Sequence, residues 1–156
     1  MTAILAFLIG VVTGLRAFMG PAATSWAAHG GALDPNQSWW AFMGYRFTPW
    51  IFTLLAGVEL VTDQLPTTPS RKVPPQFAAR LLLGALSGAT IGSSADMWVF
   101  GAVLGIAGAV VGTLGGAALR TRMAATFGSD RPAALIEDAI AIGAAMLVAV
   151  TWSATR

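Results

Sequence analysis

The chain has 156 residues, of which 56% are hydrophobic and only 10% are charged. Soluble domains carry about 25% charged residues, so a mostly wetted surface is excluded. A net charge of +2 without a long basic run argues against nucleic-acid binding, and the lack of cysteine excludes disulfides and thiolate metal sites. Long apolar runs recur along the chain and predict an all-α, multi-pass transmembrane helix bundle that forms a single integral membrane domain.

The N-terminal part of the chain contains two predicted spans. Residues 2–20 form the first span. A loop over residues 22–38 follows, and then a segment over residues 38–47 that is rich in the Trp and Tyr typical of a membrane–water boundary. The second span covers residues 49–65 and ends at a connector too rich in proline to stay helical.

Three further spans are predicted after this connector, which gives five in total. The third covers residues 77–92 and is short, and the fourth covers residues 98–119. A loop over residues 120–132 leads to the fifth span, residues 133–152.

The loop charges predict how this bundle is oriented. In a five-span layout, two loops on the same side contain most of the cations, namely Arg71, Lys72, Arg120, Arg122 and Arg131. The positive-inside rule then places the N-terminus in the cytoplasm and the C-terminus outside.

Two pairs of acidic residues interrupt the apolar spans. Glu59 and Asp63 lie in the second span, four residues apart and therefore on one helix face, and Glu137 and Asp138 lie in the fifth. A carboxylate at mid-bilayer costs about 2.5–3.5 kcal/mol and normally faces protein or water for a functional reason. The sequence therefore predicts an ion or ligand site at these four acids, which are also the candidates for a metal site.

The predicted topology gathers these acids near the cytoplasmic side together with Arg80, which begins the third span. Such a cluster could hold a cation, relay a proton, or be tied down by Arg80 and the loop cations. Mutual repulsion favours protonation of crowded carboxylates, so neutralising Glu59 in a functional site should not destabilise the protein. The alternative is structural, because acids at a helix N-terminus, such as Glu137 and Asp138, favour the macrodipole.

Arg16 is the second costly cation within a predicted span, past the middle of the first one. Its side chain could extend outward to the headgroups, pair with a buried acid, or bind an anionic ligand. Together with Arg80 it suggests a weak inverted repeat, because one arginine precedes each acidic pair along the chain. Arg16 is therefore included among the candidate site residues.

Glycines recur at helical spacing in the third and fourth spans. The third has Gly84, Gly88 and Gly92, and the fourth has Gly101, Gly105, Gly108, Gly112 and Gly115. Spacings of three and four place these glycines on one face of each helix, where another helix can approach closely. The pattern predicts a tight antiparallel hairpin of these two spans, with a subunit interface as the alternative.

Three short motifs give the chain a resemblance to a known family. The sequences Arg16-Ala17-Phe18, Glu59 through Pro66, and Glu137-Asp138 resemble elements of the bacterial membrane-protein family catalogued as domain of unknown function 4126. Gln64 stands where that family commonly has lysine. The resemblance implies a bacterial cytoplasmic (inner) membrane protein, and the family label carries no established activity.

Three functional classes remain open on the sequence. The leading hypothesis is a cation- or proton-linked transporter or channel-like protein, which implies a homo-oligomer because five spans are few to enclose a pathway. The second is a structural or accessory membrane protein whose charges only join helices. The third is a membrane enzyme acting on lipid headgroups, although no enzyme motif is found and no cofactor is predicted. The expected partners are the lipid bilayer and a proton or small cation.

Overall fold

The computed structural model describes residues 1–33, 39–64 and 72–155, and every regular element within them is helical. These ranges contain six α-helices, with a π-helical segment, Ala28–Ala32, and a 3-10 helix, Trp39–Gly44, between the second and third. The helices are α1 Thr2–Leu15, α2 Met19–Ala27, α3 Thr48–Thr62, α4 Pro74–Ser93, α5 Trp98–Phe127 and α6 Asp130–Ala154. Arg71 and Asp34 lie outside the described residues.

The prediction of one continuous span over residues 2–20 is wrong. The first helix ends at Leu15, Arg16 is extended, and α2 then folds back along α1. A Cβ added to Gly20 would lie 3.2 Å from the carbonyl oxygen of Ile9, which shows how closely α2 returns. Pro21 gives the physical reason, because its ring would clash within a continuous helix but is accommodated in the first turn of a new one. We call this antiparallel pair, α1 with α2, the helical hairpin.

Glycines allow α1, α4 and α5 to approach one another at backbone contact. The predicted α4–α5 hairpin is confirmed, since a Cβ at Gly88 would overlap the carbonyl oxygen of Gly101. Two other glycines of α5, at positions 108 and 112, contact α1 instead of α4. Gly115 faces open space, so the fourth span presents four of its five predicted glycines to neighbouring helices. This contact region of α1, α4 and α5 is called the glycine seam below.

The predicted loop over residues 120–132 is largely helical. Helix α5 continues to Phe127, and the chain reverses at Gly128, whose φ of 69° suits glycine. Of the described helices, α5 and α6 are long and apolar enough to cross a membrane, whereas α1 and α3 are shorter apolar helices. Large apolar side chains are exposed on both long helices, including Val103 at 57% and Leu147 at 68%.

The helices alternate in direction, so the bundle has two distinct ends. The turn after Leu15 lies beside the middle of α5, since Gly14 contacts Gly112, and it points toward the end of the bundle that contains the α5–α6 turn. We call that end the network end. The opposite end contains the α4–α5 turn, and there the Trp152 indole nitrogen donates to the Ser94 hydroxyl at 3.2 Å. Helix α1 runs parallel to α5, with Gly14 beside Gly112, so the N-terminus also lies at the opposite end. Both termini therefore share one end, whereas the sequence predicted opposite sides.

Candidate functional site

Arg16 lies at the tip of the helical hairpin and is completely buried. Its Nε donates to Asp138 Oδ1 at 2.6 Å, and its two terminal nitrogens form ion pairs with Asp63 and Asp138. A guanidinium is planar and presents five donors, so one arginine can bridge two carboxylates from separate helices. The interpretation that Arg16 extends to the headgroups is wrong, and its pairing with buried acids is confirmed.

Glu59 holds the same tip through its backbone. Its two carboxylate oxygens accept hydrogen bonds from the N–H groups of Ala17 and Phe18, at 2.7 and 2.9 Å. These groups lie at the start of α2, where the helix dipole and unpaired N–H groups favour an anion. Glu59 therefore acts as a cap that α3 supplies to α2.

Arg80 connects α4 to the same acids. Its Nη2 lies 3.4 Å from Glu59 Oε1 and 3.9 Å from Asp63 Oδ2, and the side chain is buried. Three carboxylates and two guanidinium groups thus converge from the hairpin tip, α3, α4 and α6. We call this group, which comprises Arg16, Arg80, Glu59, Asp63 and Asp138, the central network.

Glu137 directly precedes Asp138 but pairs with a cation outside the five residues of the central network. Adjacent residues of an α-helix point about 100° apart, because the helix has 3.6 residues per turn. Glu137 faces α5 instead, where Arg120 Nη1 lies 3.6 Å from its carboxylate, and it is only 4% exposed. Arg120 Nε also donates to Asp130 Oδ1 at 2.9 Å.

Two residues of this region were not among the predicted site residues, although Arg120 was one of the loop cations that could pair with the acids. Arg120 was assigned to a loop, and the continuation of α5 places it beside Glu137 instead. Gln64 follows the end of α3, and its amide donates to Asp138 Oδ2 at 3.1 Å. Its position next to Asp63, at the end of an acidic helix face, is the signal that could have identified it.

Exposure is graded across the central network. The side chains of Asp63 and Asp138 are 16% and 12% exposed, whereas that of Arg16 is fully covered. Glu59, held by the hairpin tip, lies between these extremes at 9%. Asp63 and Asp138 are therefore the acids of the network that lie nearest to the protein surface.

The candidate metal ligands are not arranged as a metal site. In the described parts of the chain, no three acidic or histidine side chains converge so as to hold a metal ion. Instead, Glu59, Asp63 and Asp138 are paired with arginines of the central network, and Glu137 with Arg120. This arrangement suits charge balance better than metal coordination, which takes carboxylate oxygens not already paired with cations.

The predicted inverted repeat is only partly reflected in the helices. Helices α1 to α3 and α4 to α6 are successive triplets that begin in opposite directions, as an inverted repeat requires. An inverted repeat would place Arg16 and Arg80 at opposite ends of the bundle. Both contact Asp63 at the network end, so the charged residues do not follow that symmetry.

Comparison of the chain with protein-family models, curated proteins and solved structures found no match. The resemblance to the family catalogued as domain of unknown function 4126 therefore stays a prediction from three short motifs.

Proposed function

We propose that this chain is a multi-pass membrane protein that moves a proton or a small monovalent cation through its central network. The observation that carries this proposal is the position of Arg16. It bridges carboxylates of two separate helices at the tip of an interrupted helix. Secondary transporters build ion sites at such discontinuous helices, where freed backbone groups and ionisable side chains meet.

The apolar surface supports a location within a bilayer. Besides the faces of α5 and α6, helix α3 exposes Leu54 at 69% and Val61 at 67%. Apolar surface this extensive fits lipid better than water. The network end contains the exposed Lys72, Arg122 and Arg131, so the positive-inside rule places that end in the cytoplasm. In this orientation both termini lie outside the bacterial inner membrane.

The charge balance of the central network supports an exchangeable cation. Its three carboxylates outnumber its two guanidinium groups, which leaves one net negative charge when all five groups are ionised. A buried excess charge is costly in a low-dielectric environment, and a bound proton or monovalent cation removes it. Asp63 and Asp138 are the exchange points in this proposal because they are the most exposed acids of the network.

Protonation of either exchange point changes what holds the helical hairpin. A neutral Asp138 weakens its pairing with Arg16 and leaves Arg16 with Asp63, which lies on a different helix. The hairpin tip would then stay with α3, through Glu59, and separate from α6. Loading and release of the proton or cation would thus be coupled to a small movement of α6 against the hairpin. The six described helices are few to enclose a pathway, so the proposal includes a homo-oligomer.

Flux measurements in liposomes test this proposal. Purified protein is reconstituted with an internal pH-sensitive dye, a membrane potential is imposed, and flux is followed in Na⁺, K⁺ or choline buffers. We expect flux in wild-type vesicles, its loss in Asp63→Asn and Asp138→Asn, and its retention in Asp96→Asn. Asp96 is a suitable control because it is exposed at the opposite end, and asparagine tolerates its positive φ of 54°.

The second candidate function is a structural or accessory membrane protein whose charges only join helices. It is favoured by the capping of α2 by Glu59. It predicts that none of the reconstituted proteins conducts protons or cations above empty liposomes. In that case the two aspartate variants would differ from wild type in stability alone. Equal flux in wild type and in both aspartate variants would also contradict the proposed ion site.

A further inference from the structure

A cleft of about 460 Å³ opens on the surface at the opposite end of the bundle from the central network. It lies where the 3-10 helix meets the start of α3, and the Thr48 hydroxyl donates to the carbonyl oxygen of Phe42 at 2.7 Å across its wall. The cleft is thus built into the connection between these two helices. Its lining residues are Ala41, Phe42, Gly44, Tyr45, Arg46 and Thr48.

The polar groups of the cleft suit a phosphate. Arg46 provides a positive charge and five N–H donors, and the Tyr45 hydroxyl is a further donor. The Arg46 guanidinium lies over the ring of Phe47, 5.3 Å from its centre, a cation–π contact that restrains the side chain. Arginine pairs with phosphate oxygens through short, charge-assisted hydrogen bonds.

The surface next to the cleft is apolar and long. Helix α3 begins there and exposes Trp50 at 64%, Ile51 at 55%, Leu54 at 69% and Val58 at 51%. These spacings of three and four place the side chains along one ridge that leads away from Arg46. Trp26 packs edge-on against Trp50 with ring centres 5.1 Å apart, as aromatic side chains do at the headgroup level of a bilayer.

We propose that the cleft binds the phosphate headgroup of an anionic phospholipid, with one acyl chain lying along the α3 ridge. The charge of Arg46 is complementary to the headgroup, and the continuous apolar ridge favours a lipid over a free phosphate ion. This inference rests on the membrane location included in the proposed function but not on ion movement. It places the lipid in the leaflet opposite the central network.

Lipid titration of the detergent-purified protein, followed by native mass spectrometry, tests this inference. We expect phosphatidylglycerol to bind more tightly than phosphatidylcholine of the same chain length. Arg46→Gln should weaken phosphatidylglycerol binding by about tenfold, as expected for the loss of roughly one charge-assisted contact. The matched control is Arg122→Gln, which removes an exposed arginine at the network end and should leave this affinity unchanged.

A second pair of measurements separates a lipid from a free anion. Leu54→Ser should weaken binding of long-chain phosphatidylglycerol, and inorganic phosphate should not displace the lipid. Displacement by inorganic phosphate, with no effect of Leu54→Ser, would show a free-anion site and overturn the lipid assignment. Equal losses of phosphatidylglycerol affinity in Arg46→Gln and Arg122→Gln would show diffuse charge attraction and contradict a specific site. Equal affinity for phosphatidylglycerol and phosphatidylcholine would show that Arg46 does not select an anionic headgroup. Lipid binding without ion flux would overturn only the proposed ion site.

Discussion

The glycine seam and the central network join helices by opposite means within one bundle. In the seam, α1, α4 and α5 meet where side chains are absent, and Gly105 contacts the backbone of Gly84. In the network, the hairpin tip, α3, α4 and α6 meet through long charged side chains such as Arg16 and Arg80. The first kind of contact depends on shape alone, and the second depends on protonation as well.

This difference indicates which part of the molecule can move. Close backbone packing leaves no adjustable contact between α1 and α5, so the seam should behave as a rigid frame. Helices α3 and α6 have most of their large apolar side chains exposed, and charged groups connect them to the frame. A change of protonation in the network would therefore shift α3 and α6 relative to a fixed α1, α4 and α5.

The largest effect should follow removal of the shared cation. Arg16→Gln leaves Asp63 and Asp138 without their common partner, and breaking a buried ion pair costs about 3–5 kcal/mol. Thermal unfolding in detergent should show a large drop in midpoint. Arg16→Lys should recover only part of it, because an ammonium group lacks the planar fork that reaches both acids. Arg122→Gln is the control, because Arg122 is exposed. An equal unfolding midpoint for Arg16→Gln and Arg122→Gln would contradict the buried ion pairs of Arg16.

The glycine seam offers a matched pair of substitutions within one helix. A Cβ at Gly112 would overlap the carbonyl oxygen of Val11, whereas a Cβ at Gly115 would meet nothing within 4 Å. Gly112→Ala should therefore destabilise the protein by about 1–3 kcal/mol through overpacking. Gly115→Ala should stabilise it by about 0.5–1 kcal/mol, because alanine favours the helix. Chemical denaturation of both variants measures the difference, and the same sign for both would refute the close approach of α1 and α5.

Glu59→Gln tests whether the network is structural at the hairpin tip. A glutamine has one oxygen acceptor where the carboxylate offers two to Ala17 and Phe18, so one buried N–H loses its partner. We expect a loss of about 1–3 kcal/mol in unfolding free energy. From repulsion among crowded acids alone, the sequence predicted no loss of stability for this variant. The arginine and the N–H groups around Glu59 favour its ionised form, so a loss is now expected. Asp96→Asn, at an exposed turn residue whose positive φ asparagine tolerates, should change stability by less than about 0.5 kcal/mol.

The sequence predicted helical class, most helix positions and the α4–α5 glycine hairpin, because these follow from local patterns. Apolar length and glycine spacing are properties of one segment, and they do not depend on distant residues. The convergence of Glu59, Asp63 and Asp138 with Arg80 was also predicted, since topology alone places the end of α3 near the start of α4, but the presence of Arg16 in the same group was not. Arg80 accordingly contacts Glu59.

The reversal at Arg16 could not be predicted from local pattern. Residues 2–20 are apolar enough for one span, and the break depends on acids that are 41 to 122 residues away from their partners along the chain. Pro21 was a local signal, but it fits the end of one helix as well as the start of another. The position of Arg120 was mispredicted for the same reason. Its local sequence does not distinguish a helix from a loop, and its pairing with Glu137 depends on the distant helix α6.

The helical hairpin is the feature that brings Arg16 to Asp63 and Asp138, and its direction can be measured directly. The chain has no cysteine, so single-cysteine variants Thr2→Cys, Ala95→Cys and Ser129→Cys can be labelled in oriented vesicles with an impermeant maleimide. The structure predicts that Thr2→Cys and Ala95→Cys react from one side and Ser129→Cys from the other. Labelling of Thr2→Cys from the same side as Ser129→Cys would show a continuous first span and contradict the hairpin.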